Sequence, residues 1–215
     1  MNKVTDIKTV SALVKDGMSV MIGGFMSCGA PEGLIDEIIE NNTKDLTIIC
    51  NDTGTVDRGI GKLVVAGCVK KVISSHIGTN PETGRLMTEG KIDVELIPQG
   101  TLVERIRCGG AGLGGFYTPT GIGTVVQDGK EVKTIDGKEY LLELPMRADV
   151  TLIKGSVVDK IGNVVYYGTT RNFSPIMATA SDIVIVEAES LVDAGNIDPD
   201  IVMTPAPLVD WVARV

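Results

Sequence analysis

Short apolar runs alternate with helix-like segments along the first 110 residues, and this rhythm leaves few possible folds. The apolar runs are bounded by glycine or polar residues, as buried strands are, and the segments between them repeat apolar residues at helical spacing. The predicted strands are at 18–22, 46–50, 70–78 and 94–98, and the predicted helices at 6–15, 31–41, 59–67 and 100–110. Strict alternation of this kind favours a mostly parallel sheet covered on both faces. We therefore predict an α/β fold with an open, mostly parallel sheet and helices on both faces.

The pattern changes after residue 120. Two Asp-Gly pairs, at 128–129 and 136–137, separate strand-like runs, which is typical of antiparallel hairpins. We expect a small antiparallel flap around 122–146, carried by a single domain that spans residues 1–215. Further strands are predicted at 149–159, 163–168 and 182–189, and a helix at 174–181 that is capped by Ser174.

A glycine-rich turn separates the first buried strand from the helix that follows it. Gly23, Gly24 and Gly29 precede Pro31, which suits the first turn of a helix. The spacing matches neither a P-loop nor the dinucleotide-binding pattern G-x-G-x-x-G. Two interpretations stay open. The backbone N–H groups and the helix dipole could hold a pyrophosphate, or the glycines could allow a tight turn with close packing.

Charge and cysteine spacing exclude several classes of function. A formal charge of -8 and a pI near 4.7 argue against nucleic acid or an anionic membrane as the main partner. The four cysteines form no close pair and lack the spacing of a zinc site, so we expect reduced thiols and no metal. The N-terminus does not resemble a signal peptide, and no apolar run approaches membrane length. These features predict a cytoplasmic protein.

Several sequence blocks resemble the class I coenzyme A transferases. The stretch DGMSVMIGGFMSCGAP (16–31) fills the family signature of Asp-Gly, an apolar strand, then Gly-Gly-Phe-x-x-x-Gly-x-Pro. Similar blocks follow in the family's order at 98–112, 116–121, 168–181 and 185–192. The resemblance covers nearly the whole chain and is closest to the α subunits of two-subunit acetate or butyrate:acetoacetate CoA-transferases. It implies transfer of CoA between short-chain carboxylic acids.

The resemblance also implies a partner. In this family the nucleophile is a glutamate in a Ser-Glu-Asn-Gly type motif on a β subunit, and this chain contains no Asn-Gly pair. We therefore expect a β subunit as the partner, in an α2β2 assembly, and neither nucleic acid nor a membrane. Acyl-CoA is then a substrate rather than a permanently bound cofactor.

Two site elements follow from the same resemblance. Gln99 matches a glutamine whose side-chain amide helps to form the oxyanion hole. A neutral N–H donor suits that role, because attack on a thioester places negative charge on oxygen. The presumed CoA-binding segment comprises Gly24, Phe25, Met26, Ser27, Cys28, Gly29 and Ala30.

Other polar residues have less specific interpretations. His76 is expected to make structural hydrogen bonds at a strand end, and Asp52 and Asp57 to cap a loop and a helix. Glu187 and Glu189 are the best rival nucleophiles within the chain, because they share one face of a predicted strand. The sequence leaves open the roles of Arg171, Asn172 and the glycine-rich segment 109–121. We expect the solvated surface to contain Lys62, Lys70 and Lys71. We expect the apolar C-terminus to lie at an interface.

Two other functions compete with the transferase. One is a self-sufficient α/β enzyme of the sugar-phosphate isomerase and deaminase type, which would need its own acid and base. The other is a non-catalytic subunit that keeps only the CoA loop. Activity of the chain alone would favour the isomerase type, and activity only with a partner would favour the transferase.

Overall fold

The computed structural model describes residues 2–214, and fourteen strands and six α-helices occur within that range. The strands are β1 (Val4–Asp6), β2 (Ser19–Ile22), β3 (Leu46–Asp52), β4 (Val69–His76), β5 (Asp93–Leu96), β6 (Phe116–Thr118), β7 (Val132–Ile135), β8 (Lys138–Glu143), β9 (Ala148–Gly155), β10 (Val157–Asp159), β11 (Val164–Val165), β12 (Ser181–Ala188), β13 (Leu191–Val192) and β14 (Trp211–Arg214). The helices are α1 (Ile7–Ser11), α2 (Glu32–Glu40), α3 (Ile60–Val65), α4 (Pro81–Thr88), α5 (Gln99–Gly110) and α6 (Ser174–Met177). Short 3-10 turns lie at Val125–Gln127, Gly168–Thr170, Pro199–Ile201 and Ala206–Leu208.

Eight strands form one sheet in the order β1-β14-β12-β9-β2-β3-β4-β5. Every neighbouring pair in this sheet is parallel. Such a sheet must be covered on both faces, because neither face can be left to water. The predicted α/β fold with an open parallel sheet is confirmed.

Side chains of successive strand residues enter two separate cores. Val20 and Ile22 of β2 join one core, and Met21 between them joins the other, as the alternation along a strand requires. The first core also contains apolar residues of α1, α2 and α3. The second contains those of α5 and α6. The helices therefore cover both faces of the sheet, as predicted.

The predicted flap is a three-stranded antiparallel sheet in the order β6-β8-β7. Asp136 and Gly137 form the turn between β7 and β8, and both adopt left-handed φ angles of 48° and 76°, the combination that a two-residue hairpin turn needs. The buried Glu143 of β8 forms ion pairs with Lys130 and with Arg105 of α5, which join the flap to the body. The flap begins at Phe116, earlier than the expected residue 122.

Three local features differ from the predictions. Helix α1 ends at Ser11, and its N-terminus is capped by Asp6, whose carboxylate accepts the N–H groups of Lys8 and Thr9. Helix α4 was not predicted, because it contains few apolar residues and depends on the side-chain cap of Asn80. Ser174 is the first residue of α6 rather than its cap.

The C-terminal apolar segment also differs from its prediction. Strand β14 lies inside the main sheet between β1 and β12, and Val212 and Ala213 are fully buried there. Burial in the chain's own sheet, and not an interface, therefore explains why these residues are apolar. Trp211 is half-exposed at the start of the same strand.

Candidate active site

The carboxyl ends of four neighbouring strands surround a cavity of about 250 Å³. Because β2, β3, β4 and β5 are parallel, the residues that follow them meet at one edge of the sheet, where α/β proteins bind ligands. The lining residues are Phe25, Met26, Asn51, Asp52, Ser75, His76, Thr79 and Gln99. Gln99 and part of the glycine loop, which the sequence singled out separately, thus face one space.

Gln99 is the first residue of α5 and follows Pro98, whose extended backbone turns the chain away from β5. Its side chain crosses towards the end of β3, where its Nε2 donates a hydrogen bond of 2.6 Å to Oδ1 of Asn51. Asn51 is 3% exposed, so the exposed glutamine is held by a buried partner. An amide nitrogen has two hydrogens, and one therefore stays available to a ligand.

The glycine loop turns sharply after β2. Phe25 and Cys28 exchange two backbone hydrogen bonds of 3.0 and 2.9 Å. Between them, Met26 and Ser27 both have left-handed φ angles, 47° and 66°. This backbone is uncommon for residues with side chains, so contacts outside the loop must maintain it.

Two polar side chains hold the loop from opposite sides. The N–H of Gly24 donates to Oδ1 of Asn172 at 3.0 Å, and the N–H of Met26 donates to Oδ2 of Asp52 at 2.9 Å. Asp52 is buried and also accepts the N–H of Gly54 at 2.8 Å. Asn172, whose role the sequence left open, is therefore a support of the loop.

Close packing explains two of the loop glycines. A Cβ atom at Gly23 would lie 2.4 Å from Oγ of Ser174, and one at Gly29 would lie 2.7 Å from Cα of Thr170. Gly29 also has a φ angle of +75°, which disfavours side chains. Of the two interpretations left open by the sequence, tight packing therefore accounts for these positions.

The side chain of Glu187 occupies the N-terminus of α2, the helix that follows the glycine loop. The N–H of Leu34 in α2 donates to Oε2 of Glu187 at 2.9 Å, and Glu187 is 5% exposed. Burial raises the pKa of this carboxyl, while the N–H of Leu34 acts in the opposite direction. A pyrophosphate on this helix N-terminus would have to displace a buried carboxylate, so that mode of binding is disfavoured.

The loop itself still offers donors. Within residues 2–214, the backbone N–H groups of Ser27 and Gly29 have no hydrogen-bond acceptor. Met26, beside them, is 56% exposed. A ligand could therefore meet both a polar and an apolar surface on this loop.

The sequence model of coenzyme A transferases matches residues 4–214. The chain belongs to the coenzyme A transferase family. It is 52% identical to the acetate CoA-transferase subunit alpha of Escherichia coli over 210 residues, which are 98% of this chain and 96% of that protein. It is also 52% identical to the acetoacetyl-CoA:acetate/butyrate CoA transferase alpha subunit of Clostridium acetobutylicum, over 99% of this chain and 98% of that protein. The predicted family and enzyme class are confirmed.

Solved structures share the fold of this coenzyme A transferase chain. An acyl-CoA transferase of Escherichia coli O157:H7, solved as a thioester complex with CoA, matches 100% of this chain with a TM-score of 0.88 at 23% identity. This chain spans 47% of that protein's length. Glutaconate coenzyme A-transferase of Acidaminococcus fermentans matches 99% of this chain with a TM-score of 0.85 at 20% identity, and the chain spans 75% of it.

The rival glutamates of this transferase chain lie away from the cavity. Glu187 and Glu189 belong to β12 and its end, and two strands, β9 and β2, separate β12 from β3. At about 4.8 Å per strand this places them about 14 Å from β3 across the sheet. The carboxyl group of Glu187 accepts a hydrogen bond from the N–H of Leu34 in α2. Oε2 of Glu189 lies 3.8 Å from Nζ of Lys154 in an exposed ion pair.

His76 and the aspartates differ in part from their predictions. The imidazole of His76 lines the cavity and has no hydrogen-bond partner within residues 2–214, so the expected structural hydrogen bonds are not found. Oδ1 of Asp57 accepts a hydrogen bond of 2.9 Å from Oγ1 of Thr55. Asp57 does not cap α3, because that helix begins after Gly59 without a side-chain cap. Asp52 supports the loop, as described above.

The predicted surface cations are mostly paired. Lys62 forms an ion pair with Glu32 at 2.6 Å and Lys71 one with Glu95 at 2.8 Å, while Lys70 and Arg171 are exposed. All four cysteines are free thiols; burial raises the pKa of Cys50 and of Cys68, and Cys28 is exposed on the glycine loop.

Part of the second glycine-rich segment serves packing. A Cβ atom at Gly109 would lie 2.1 Å from the carbonyl oxygen of Met146, where α5 meets the chain that returns from the flap. Gly110 is equally restricted, by Thr179. No helix within residues 2–214 combines the length and the apolar character needed to span a bilayer.

Proposed function

We propose that this chain is the α subunit of a transferase that moves CoA between a short-chain acyl-CoA and a carboxylic acid. The acids are acetate, butyrate and acetoacetate, as the names of the two relatives at 52% identity suggest. A β subunit supplies the nucleophilic glutamate, and the two kinds of subunit assemble as α2β2. The observation that carries the proposal is the amide of Gln99, which is held by Asn51 in the cavity beside the glycine loop.

The reaction proceeds through carboxylate attack on the thioester. The β-subunit glutamate attacks the acyl carbonyl, the C–S bond breaks, and an acyl-glutamyl anhydride and CoA thiolate form. The thiolate then attacks the glutamyl carbonyl, which releases the first acid and leaves a glutamyl-CoA thioester. The acceptor acid takes CoA by the same steps in reverse.

Gln99 stabilises the oxygen that gains charge in these steps. Its free N–H faces a cavity at the sheet edge, and a neutral amide stays a donor at every pH at which the enzyme works. The preplaced hydrogen bond to Asn51 limits the reorganisation that the amide would otherwise need when charge develops.

The loop from Gly24 to Ala30 binds part of CoA. The N–H groups of Ser27 and Gly29 are donors for phosphate or amide oxygens of CoA, and Met26 offers apolar contact. In this proposal the loop binds through its own backbone and not through the N-terminus of α2, which Glu187 occupies.

Replacement of Gln99 tests the oxyanion role. We expect Gln99→Ala to lower kcat by roughly 100- to 1,000-fold, or about 2.7–4 kcal/mol, because one donor to the developing charge is lost. The assay is CoA transfer from acetoacetyl-CoA to acetate by the assembled α and β subunits. The matched control is Gln127→Ala, on the flap, where the side chain accepts a hydrogen bond from the N–H of Gly123. A kcat for Gln99→Ala within threefold of the wild type would contradict the proposal.

The division of labour between subunits has its own test. The same transfer is measured with this chain alone, with the β subunit alone and with the mixture. We expect activity only in the mixture. Activity of this chain alone would favour the self-sufficient enzyme, and an inactive mixture that still binds CoA would favour the non-catalytic subunit.

A further inference from the structure

Asn51 connects the cavity to the buried part of the sheet edge. Its Nδ2 donates to Oδ2 of Asp52 at 2.8 Å, and its Oδ1 accepts Nε2 of Gln99 at 2.6 Å. Oγ of Ser75 donates to the carbonyl oxygen of Asn51 at 2.7 Å and lies 3.2 Å from its Oδ1. Both ends of the Asn51 amide are therefore occupied.

We propose that Asn51 is a positioning residue that determines which end of the Gln99 amide faces the reacting thioester. The inference rests on the oxyanion role proposed for Gln99. The two ends of a glutamine amide have nearly the same shape but opposite polarity. If the oxygen faced the thioester, its lone pairs would repel the charge that the nitrogen stabilises.

Backbone N–H groups determine the orientation of the Gln99 amide through the side chains of Asp52 and Asn51. The N–H groups of Met26 and Gly54 donate to the two carboxylate oxygens of Asp52. A carboxylate that receives these donors accepts further hydrogen bonds, so Asn51 must turn its NH2 group towards Asp52. Its oxygen then faces Gln99, and Gln99 must present its nitrogen.

Restriction of Gln99 is the second part of the effect. The glutamine is exposed, and a long exposed side chain populates several rotamers unless it is held. Within residues 2–214, Asn51 is its only side-chain hydrogen-bond partner. Because Asn51 is 3% exposed and Asp52 is 4% exposed, the pair forms a rigid support for the amide.

A purely structural role predicts a different result from the positioning role. Asn51 could satisfy buried polar groups and nothing else, in which case its replacement would lower stability without acting through Gln99. A double-mutant cycle separates the two, because the effect of Asn51 should disappear when Gln99 is already absent.

The experiment measures kcat and KM for acetoacetyl-CoA with the α and β subunits assembled. We expect Asn51→Ala to lower kcat about tenfold or more, as loss of orientation typically does, with KM changed less than twofold. In the Gln99→Ala background the same change should lower kcat by less than twofold. Asn51→Leu, which fills nearly the same volume, gives the same expected results if the alanine variant does not assemble.

A matched control distinguishes positioning from general destabilisation. Asn80 is 1% exposed and caps α4, and Asn80→Ala should lower the thermal midpoint while kcat stays within twofold. Equal loss of kcat in Asn80→Ala would overturn the inference, as would an undiminished effect of Asn51→Ala in the Gln99→Ala background. A large effect of Gln99→Ala with none from Asn51→Ala or Asn51→Leu would overturn it and leave the proposed function standing. A normal kcat in Gln99→Ala would contradict both the positioning role of Asn51 and the proposed oxyanion role of Gln99.

Discussion

Two loops at neighbouring strand ends have the same length and different backbones. Gly24–Gly29 follows β2, and Gly54–Gly59 follows β3; each has glycine at both ends and a bridge across the turn, Phe25 to Cys28 and Thr55 to Arg58. In the first loop the two residues inside the bridge have left-handed φ angles, and in the second they do not.

The difference between the two backbones agrees with the proposal that the first loop binds CoA. Left-handed backbone at residues with side chains costs free energy and persists where the surroundings impose it, often at functional sites. The second loop is part of those surroundings: its backbone at Gly54 lies against the side chain of Ser27, whose Oγ donates to the carbonyl oxygen of Arg58 at 3.3 Å. The second loop therefore supports the first.

Asp52→Ala should disturb both loops and have the largest effect. It removes the acceptor of two buried donors, the N–H of Gly54 and Nδ2 of Asn51, and of the partly buried N–H of Met26. Each buried donor left unpaired costs about 1–3 kcal/mol. We expect the free energy of unfolding to fall by about 2–5 kcal/mol, measured by urea denaturation of the full chain. Asp57→Ala is the control, because that carboxylate is exposed and accepts a hydrogen bond from Oγ1 of Thr55, and its loss should change the free energy of unfolding by less than about 0.5 kcal/mol. Equal losses would show that Asp52 does not join the loops.

Alanine at the last glycine of each loop should affect the first loop more. Both Gly29→Ala and Gly59→Ala place a side chain on backbone with a positive φ angle, and the φ of 56° and ψ of -137° at Gly59 are disfavoured for any residue but glycine. At Gly29 the new Cβ also meets Cα of Thr170 at 2.7 Å, whereas at Gly59 the nearest atom is the Cβ of Ala30, at 3.3 Å. We expect urea denaturation to show that both variants are destabilised, and steady-state kinetics to show that only Gly29→Ala, whose new Cβ meets the segment at Thr170, raises KM for acyl-CoA by more than twofold.

Gly17→Ala calibrates this comparison. Its φ angle of +79° is close to that of Gly29, and nothing lies within 4 Å of the added Cβ. The difference in unfolding free energy between the Gly29 and Gly17 variants therefore measures the contact with Thr170. If the two variants lose the same amount, the segment at Thr170 yields freely and does not restrain the loop.

Glycine inside each turn should have the smallest effects, with opposite signs. Met26→Gly relieves left-handed backbone and should raise the free energy of unfolding by up to about 1 kcal/mol. Val56 does not have a left-handed φ angle, so Val56→Gly relieves no backbone strain. It should lower the free energy of unfolding by about 0.5–1 kcal/mol, because glycine gives the unfolded chain more conformational freedom. Thermal unfolding of the two variants measures both signs. Destabilisation by Met26→Gly would mean that Met26 is not strained.

The sheet could be predicted, and Gln99 selected as a candidate site residue, because both depend on patterns of neighbouring residues in the sequence. Alternating apolar runs are sufficient to identify parallel strands, and the block around Gln99 has a recognisable order. Asn51 was not predicted at all, and Asp52 was predicted only to cap a loop, because in the sequence they are simply two polar residues after an apolar run. Their function depends on Gln99 and Met26, which reach them from other strand ends. The hydrogen bond between Glu187 and the N–H of Leu34 was not predicted for the same reason, since α2 lies far from Glu187 in sequence.

The pairing of β1 with β14 has a consequence for synthesis on the ribosome. Val4 and Val212 are register partners at opposite ends of the sequence, and β14 separates β1 from the rest of the sheet. Strand β1 therefore has no neighbour in the sheet until β14 has been translated. Closing such a long stretch of chain is slow, as pairing between distant segments generally is. The nascent chain must therefore keep β1 unpaired until β14 has emerged, so this edge of the sheet is the last to form.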